Sequence, residues 1–345
     1  MCLLRSEGKA LSYLKLLRTL GYDKLKIRSF TSRSPTVATI MKKYIALIIF
    51  ITLLISCNSE KKNKDKKEIK TETFITESFE LVKPIKNSKA VLILFGGYGE
   101  EPEDIEREFK ILEIAKKNEI SVILMNYSKK LWLEEKDKIE LAKLLQKTLE
   151  KHNLNKNDIY IGGFSSGGII SLLISNFIIS MKQFYINPKG VFIVDAPVDL
   201  LGLYKSAQKN IARNFSEVSV KESNWIINTL EKKLGNPKNG ISEYEKYSVY
   251  TLESDNTENL KKLKDTKIRI YTEPDKKWWK ENRLAEYEQL NAYHLKKLFE
   301  SLKSLNYKNV EYIPTENKGF RSDGKRHPHS WSIVDKEDLM NWIIK

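Results

Sequence analysis

The sequence predicts an α/β fold with a mostly parallel central sheet and helices on both of its faces. Three observations carry this. Short runs such as Val91–Phe95, Ile120–Met125 and Val191–Val194 are apolar throughout or nearly so, as expected of strands buried on both sides rather than on one. Amphipathic helical stretches alternate with these runs, which supplies the crossovers that parallel strands need. Finally, a strand-like run, Asp158–Ile161, leads through Gly162-Gly163-Phe164-Ser165-Ser166-Gly167-Gly168 directly into an apolar helical pattern from Ser166 to Met181.

In chain order, Thr71 to Val82 alternates in part and reads as an edge or first strand ended by Pro84. Val91–Phe95 follows as the first central strand. Glu101-Pro102-Glu103-Asp104 opens a helix, with proline and acids in its first turn, and Ile105, Phe109, Leu112 and Ile114 carry it to about Lys117. Ile120–Met125 is the next strand. A helix from about Glu134 to His152 places Ile139, Leu141, Leu144, Leu145 and Leu149 on one face. After the strand and helix around Ser165 come strands at Val191–Val194, Ile268–Tyr271 and Val310–Ile313. From Leu200 to Lys264 no strand pattern occurs, and amphipathic pieces such as Trp225–Leu234 are divided by Gly235-Asn236-Pro237. No internal repeat is present.

The chain of 345 residues has a formal charge of +15, which by itself would suggest a nucleic-acid partner. The charge is concentrated at one end. Residues 1–40 hold Arg5, Lys9, Lys15, Arg18, Lys24, Lys26, Arg28 and Arg33 against Glu7 and Asp23, and a second basic block runs from Lys61 to Lys70. The remainder is nearly balanced, so neither a basic binding face nor a nucleic-acid partner is expected.

Between those blocks, Met41-Lys42-Lys43 precedes an apolar core from Ile45 to Ile55 that ends in Leu54-Ile55-Ser56-Cys57. The core is shorter than the roughly 20 residues of a comfortable membrane span. The pattern resembles the signal peptide and lipobox of bacterial lipoproteins. That resemblance implies cleavage before Cys57, a lipid on its thiol, and a membrane-anchored protein of the bacterial cell envelope, on the periplasmic or outer-surface side. Residues 41–56 are then the signal peptide, 57–70 a Lys-rich tether, and 71–345 the folded domain. Met41 becomes the expected start, and residues 1–40 an unstructured upstream extension. A transit peptide would fit the few acids of residues 1–40 but not the lipobox behind them. Cys2 and Cys57 are the only cysteines. Neither would be free in the mature protein, which excludes a disulfide, cysteine catalysis and cysteine-rich zinc sites there.

The segment around Ser165 carries the chemistry. A serine hydroxyl becomes a nucleophile only where a base can reach it, so it must stand clear on a sharp strand-to-helix turn. Gly163 and Gly167 allow backbone and helix to crowd such a turn. Upstream, Val91–Phe95 ends in Gly96-Gly97-Tyr98-Gly99, a loop able to present N–H groups to a developing oxyanion. Downstream, Ile268–Tyr271 opens into Thr272-Glu273-Pro274-Asp275, and Val310–Ile313 is followed by a polar loop and His327-Pro328-His329-Ser330-Trp331.

From about Val91 to the C-terminus these four spaced elements resemble the α/β-hydrolase superfamily, in which the nucleophile, acid and base occur in that chain order. The resemblance implies Ser165 as nucleophile, with the backbone N–H of Ser166 and of Gly97 or Tyr98 as the oxyanion hole. The loop departs from the His-Gly-Gly-Gly form of lipases and esterases at Phe95 and Tyr98, which leaves the inward-pointing N–H open. Asp275 matches the superfamily's usual acid position after its seventh strand. Glu273, two residues nearer, and Asp195, after the preceding strand, are alternatives. His329, just before the last helix, matches the usual base position, with His327 as the alternative. His152 and His294 lie in helical patterns and read as surface or packing residues. The helical segment of about residues 200–264 falls where the superfamily often carries a lid, and reads as a cap.

These features together imply a serine hydrolase acting on a small-molecule carboxylic ester through an acyl-enzyme, with no cofactor and no metal. A serine peptidase on the same fold is the nearest rival. A hydrolase-fold lipoprotein that binds without turnover is a second. Arg321, Lys325 and Arg326 cluster with the histidines, and Trp278-Trp279 follow Asp275. They read as a solvated loop and packing tryptophans in preference to a pocket for an acidic or sugar-like substrate.

Overall fold

The structure, a computed structural model, describes residues 69–345. The expected signal peptide, Cys57, the tether up to Glu68 and residues 1–40 lie outside the described residues. In chain order the elements are β1 (Thr71–Ile75), β2 (Phe79–Pro84), β3 (Ala90–Phe95), α1 (Pro102–Phe109), α2 (Leu112–Lys117), β4 (Ile120–Met125), α3 (Glu135–Lys151), β5 (Ile159–Phe164), α4 (Ser166–Ser180) and β6 (Pro188–Val194). They continue as α5 (Leu200–Arg213), α6 (Glu217–Leu234), α7 (Ser242–Tyr247), β7 (Lys267–Thr272), α8 (Lys276–Arg283), α9 (Asn291–Ser304), β8 (Val310–Pro314) and α10 (Lys336–Ile344).

The strands form one sheet in the order β1-β2-β4-β3-β5-β6-β7-β8. β2 runs antiparallel to both β1 and β4, and every later pairing is parallel. This mostly parallel sheet, covered by helices, is the α/β-hydrolase fold.

Alternation along the strands divides the interior in two. Val91, Ile93 and Phe95 of β3 join a core with α3, α4 and α9. Leu92 and Leu94 join a second core with α1, α2 and α10. β5 sits between β3 and β6, and its exit at Phe164 therefore opens among the ends of the two central neighbours that carry Gly96 and Asp195.

Two elements differ from the sequence reading. The run Thr71–Val82 is not one strand but the hairpin β1–β2. Thr76 Oγ1 accepts the N–H groups of Ser78 (3.2 Å) and Phe79 (3.1 Å), a local side-chain turn that ends β1. The single helix expected to reach Lys117 is broken at Lys110, which takes a left-handed conformation with φ 51°. In a continuous helix Ile111 would point about 200° away from Phe109. The break lets both Phe109 and Ile111 bury completely in the same core.

Between β6 and β7 the described residues form α5, α6, α7 and short 3-10 turns, as the absence of a strand pattern there implies. No helix among the described residues is long and apolar enough to cross a membrane.

Candidate active site

Ser165 stands between β5 and α4 with φ 52° and ψ −125°, a backbone conformation costly for a residue with a Cβ and one that persists only where its surroundings enforce it. The enforcement is visible. A Cβ on Gly163 would lie 2.1 Å from Gly167 O, and one on Gly167 would lie 2.3 Å from Phe95 O. Strand, helix and the β3 exit are thus packed too closely for any side chain at either position. The Ser165 N–H donates to Val194 O at 2.9 Å, which ties the turn to the end of β6. Ser165 is partly exposed, whereas Ser166 is buried and its hydroxyl has no hydrogen-bond partner.

His329 lies beside this turn. Its ring is 4.4 Å from the ring of Phe164, centroid to centroid. Its Nδ1 is 2.6 Å from Asp195 Oδ2, a short, charge-assisted distance. Asp195 is buried, with φ 45°, immediately after β6. Its main chain is fixed at both ends: its N–H donates to Tyr271 O (2.8 Å) and its carbonyl accepts from Asn291 Nδ2 (2.8 Å). Its second carboxylate oxygen accepts the Thr272 hydroxyl at 2.6 Å. One oxygen therefore remains for His329, and His329 Nε2 is the ring atom left to face a substrate or serine.

The structure thus places Asp195, rather than Asp275 or Glu273, against His329, which corrects the acid position expected from the superfamily pattern. Asp275 caps α8 by accepting the Trp278 N–H (3.0 Å) and pairs with Arg326 Nη2 (2.8 Å). Glu273 is buried and accepts from Lys318 N–H (2.9 Å), Gly319 N–H (2.8 Å) and Thr315 Oγ1 (3.2 Å), and also pairs with Arg326. Arg326 in turn donates to Gly319 O at 2.8 Å. These two acids hold the loop that carries the histidines and do not touch the imidazoles. Topology gives the reason. Asp195 leaves the strand next to β5, whereas Asp275 lies three residues past the end of the next strand outward.

His327 and His329 are 6.3 Å apart, ring to ring. His327 accepts the His329 N–H at its Nδ1 (3.2 Å) and packs against Trp278 at 4.8 Å. Burial, the neighbouring His329 and the cations Arg321 and Arg283 push its pKa down to about 3, so it is neutral across the physiological range. His152 packs against Phe74 and Phe79, where burial lowers its pKa. His294 lies buried with Nδ1 3.3 Å from Asp199. Among the described residues neither makes a hydrogen bond to Ser165, Asp195 or His329.

The loop after β3 separates the two expected N–H donors. The Gly97 N–H donates to Glu100 Oε2 at 2.8 Å, and that same oxygen accepts from Trp331 Nε1 at 3.1 Å. Gly97 is close enough that an added Cβ would lie 3.4 Å from Ser165 Cβ, but its N–H is taken. The Tyr98 N–H has no hydrogen-bond partner among the described residues, and the Ser166 N–H is in the first turn of α4, where no intrahelical acceptor exists. Tyr98's ring is half exposed and meets Trp225 of α6 at 4.7 Å.

A cavity of about 630 Å³ opens beside His329, and Ser165 is not among the residues that line it. Asp195, His327, His329 and Arg321 line one part of it, and Leu203 of α5 and Ile226 of α6 line another. The helices between β6 and β7 thus form part of its wall.

No protein-family model matches the sequence, and no curated protein matches it either. Among solved structures it is similar to fluorophosphonate-binding serine hydrolase F of Staphylococcus aureus, at 14% identity over 80% of this chain and 98% of that one, with a TM-score of 0.49. It is also similar to carboxyl esterase 2 of Tuber melanosporum, at 14% identity over 81% and 87% of the two chains with a TM-score of 0.48. An esterase/lipase from an uncultured bacterium is 12% identical over 96% and 98%, with a TM-score of 0.48. At these identities the chemistry of the site must come from its own geometry.

Proposed function

We propose that this protein is a serine hydrolase acting on carboxylic esters. The observation that supports it best is the combination of Ser165 in a strained strand-to-helix turn with a neighbouring histidine whose Nδ1 is held by a buried carboxylate. In this reading His329 Nε2 takes the Ser165 hydroxyl proton as Oγ attacks the ester carbonyl. Asp195 fixes the tautomer and stabilises the imidazolium. The N–H groups of Ser166 and Tyr98 receive the negative charge on the carbonyl oxygen. Collapse of the tetrahedral intermediate returns the proton from His329 to the departing alcohol and leaves an acyl-enzyme. Water then repeats the sequence and releases the acid.

A strained serine is hard to explain in a protein that only binds, which favours turnover over a non-catalytic hydrolase-fold lipoprotein. The decisive experiment is covalent labelling by a fluorophosphonate together with 4-nitrophenyl ester hydrolysis. Wild type should label and turn over, Ser165→Ala should lose both by about 10³-fold or more, and Ser166→Ala should retain much of each. A labelled Ser165→Ala protein would overturn the assignment.

We also propose that the protein is anchored to a bacterial membrane by lipid on Cys57, on the strength of Leu54-Ile55-Ser56-Cys57 after a short apolar core. Cys57→Ala should abolish lipid labelling and membrane partition. An unaltered membrane fraction would contradict this.

A further inference from the structure

The polar loop before the last helix brings three cations to the site, and two of them are occupied. Lys325 is exposed and pairs with Asp323 at 3.0 Å. Arg326 is bound by Glu273 and Asp275. Arg321 is different. It is partly buried, lines the cavity, and has no carboxylate within ion-pair distance among the described residues. Glu108 acts on it electrostatically, but the Glu108 oxygens are engaged by Ser322 N–H (2.9 Å), Ser322 Oγ (2.5 Å) and Arg107.

The placement of Arg321 is specific. Its guanidinium lies 5.6 Å from the centroid of the Phe164 ring, the residue before the serine, and that ring is 4.4 Å from His329. Across the histidine pair, Trp278 stands 4.8 Å from His327, and the Arg283 guanidinium is 5.8 Å from Trp278. Arg283 also lines the cavity, and among the described residues it too has no ion pair, its side chain donating only to Asn282 O. Two unpaired guanidinium groups therefore flank the imidazoles, and together they help hold His327 neutral. Among the described residues only two carboxylates line the cavity: Asp195, committed to His329, and Glu222, exposed on α6. A planar guanidinium stacked on an aromatic ring and free of a protein acid is suited to take a carboxylate side by side.

We propose that the ester processed at this site carries a carboxylate, which Arg321 binds beside the scissile group while Arg283 attracts it at the exposed end of the cavity. The proposal rests on the esterase reading for the reaction, but the binding part can be tested apart from it.

Two pairs of probes differ by the presence of a carboxylate. 4-Nitrophenyl hemisuccinate and 4-nitrophenyl butyrate place or omit a carboxylate on the acyl side. 4-Acetoxybenzoate and 4-acetoxybenzamide do so on the alcohol side. In one pair, wild type should prefer the anion in kcat/KM. In Arg321→Ala the ratio of anion to neutral should fall about tenfold, with Arg321→Lys restoring part of it and Arg283→Ala producing a smaller fall that vanishes at high salt. The pair that responds identifies the side that carries the charge. Calorimetric titration with the amide counterparts of both pairs, which resist hydrolysis, should give the same order of binding. Equal kcat/KM ratios and equal amide affinities in wild type and Arg321→Ala would overturn the proposal while leaving the esterase reading in place. Tight, Arg321-dependent binding of the anionic amide without hydrolysis of any ester would do the reverse.

Discussion

The ends of β6 and β7 each present acid to the same loop of histidines, and the two ends use it differently. At the end of β6 a single buried Asp195 has one oxygen satisfied by the Thr272 hydroxyl and the other by His329. At the end of β7, Glu273 and Asp275 share Arg326, and Glu273 also accepts two backbone N–H groups. The contrast shows that an acid near a histidine loop is not defined by its distance along the chain. It is defined by which groups have already claimed its oxygens. The β6 end orients His329, and the β7 end pins the segment that carries it.

The largest expected effect breaks the β6 side. Asp195→Asn keeps the shape but favours the wrong histidine tautomer, and it should lower kcat for a neutral ester by about 10³-fold or more. Asp275→Asn, which removes half of a partly exposed pair and can still cap α8, should leave turnover within about fivefold of wild type. Circular dichroism on both variants would show that the fold is intact. A crippled Asp275→Asn beside an active Asp195→Asn would invert the assignment.

Glu273→Gln sharpens the β7 side. It leaves Arg326 without its buried partner, and breaking such a pair costs about 3 kcal/mol, or roughly 8 °C in melting temperature for a domain of this size. The signature is a loss measured in thermal unfolding that exceeds the loss in kcat. A variant as stable as wild type would mean that the clamp is not structural.

The smallest effect concerns His327, which burial and adjacent cations hold neutral with a pKa of about 3. The unfolded chain binds this proton near pH 6.5, so between pH 6.5 and 3 the unfolded state holds more protons than the folded one. The stability contributed by keeping His327 neutral is therefore complete above pH 6.5 and declines as the pH falls toward 3. With allowance for solvent screening, His327→Gln should remove about 1 kcal/mol of acid destabilisation at pH 5. Denaturant titrations of both proteins at pH 7.5 and pH 5 measure it. An identical pH dependence would contradict the burial argument.

Much of this was legible in the residues. The apolar strands at Val91–Phe95, Ile120–Met125 and Val191–Val194 declare a sheet buried on both faces. Gly163 and Gly167 declare a crowded turn around Ser165, because the sites where a Cβ cannot fit are set by local backbone packing. The acid was harder to read, because its role depends on strand order, which spacing along the chain does not encode. Only the placement of β6 between β5 and β7 brings Asp195 to His329. One local signal points the same way: Asp195 directly follows the apolar run Val191–Val194, whereas Glu273 and Asp275 are both paired with Arg326. The loop after β3 shows the same limit. Gly97 is where the pattern places it, but its N–H is claimed by Glu100, three residues along, and the sequence alone does not show that turn closing. The hairpin at Thr76 and the break at Lys110 were hidden because each is decided by a single local bond or a left-handed residue within an otherwise continuous pattern.

The claim that Asp195 is the partner of His329 is tested most directly by proton NMR of the domain at low temperature. An imidazole Nδ1 proton held between a ring nitrogen and a carboxylate resonates far downfield of the amide region. The account expects such a resonance in wild type, its survival in Asp275→Asn and Glu273→Gln, and its loss in both His329→Ala and folded Asp195→Asn. A downfield proton that persists in Asp195→Asn and disappears in Asp275→Asn would contradict the account.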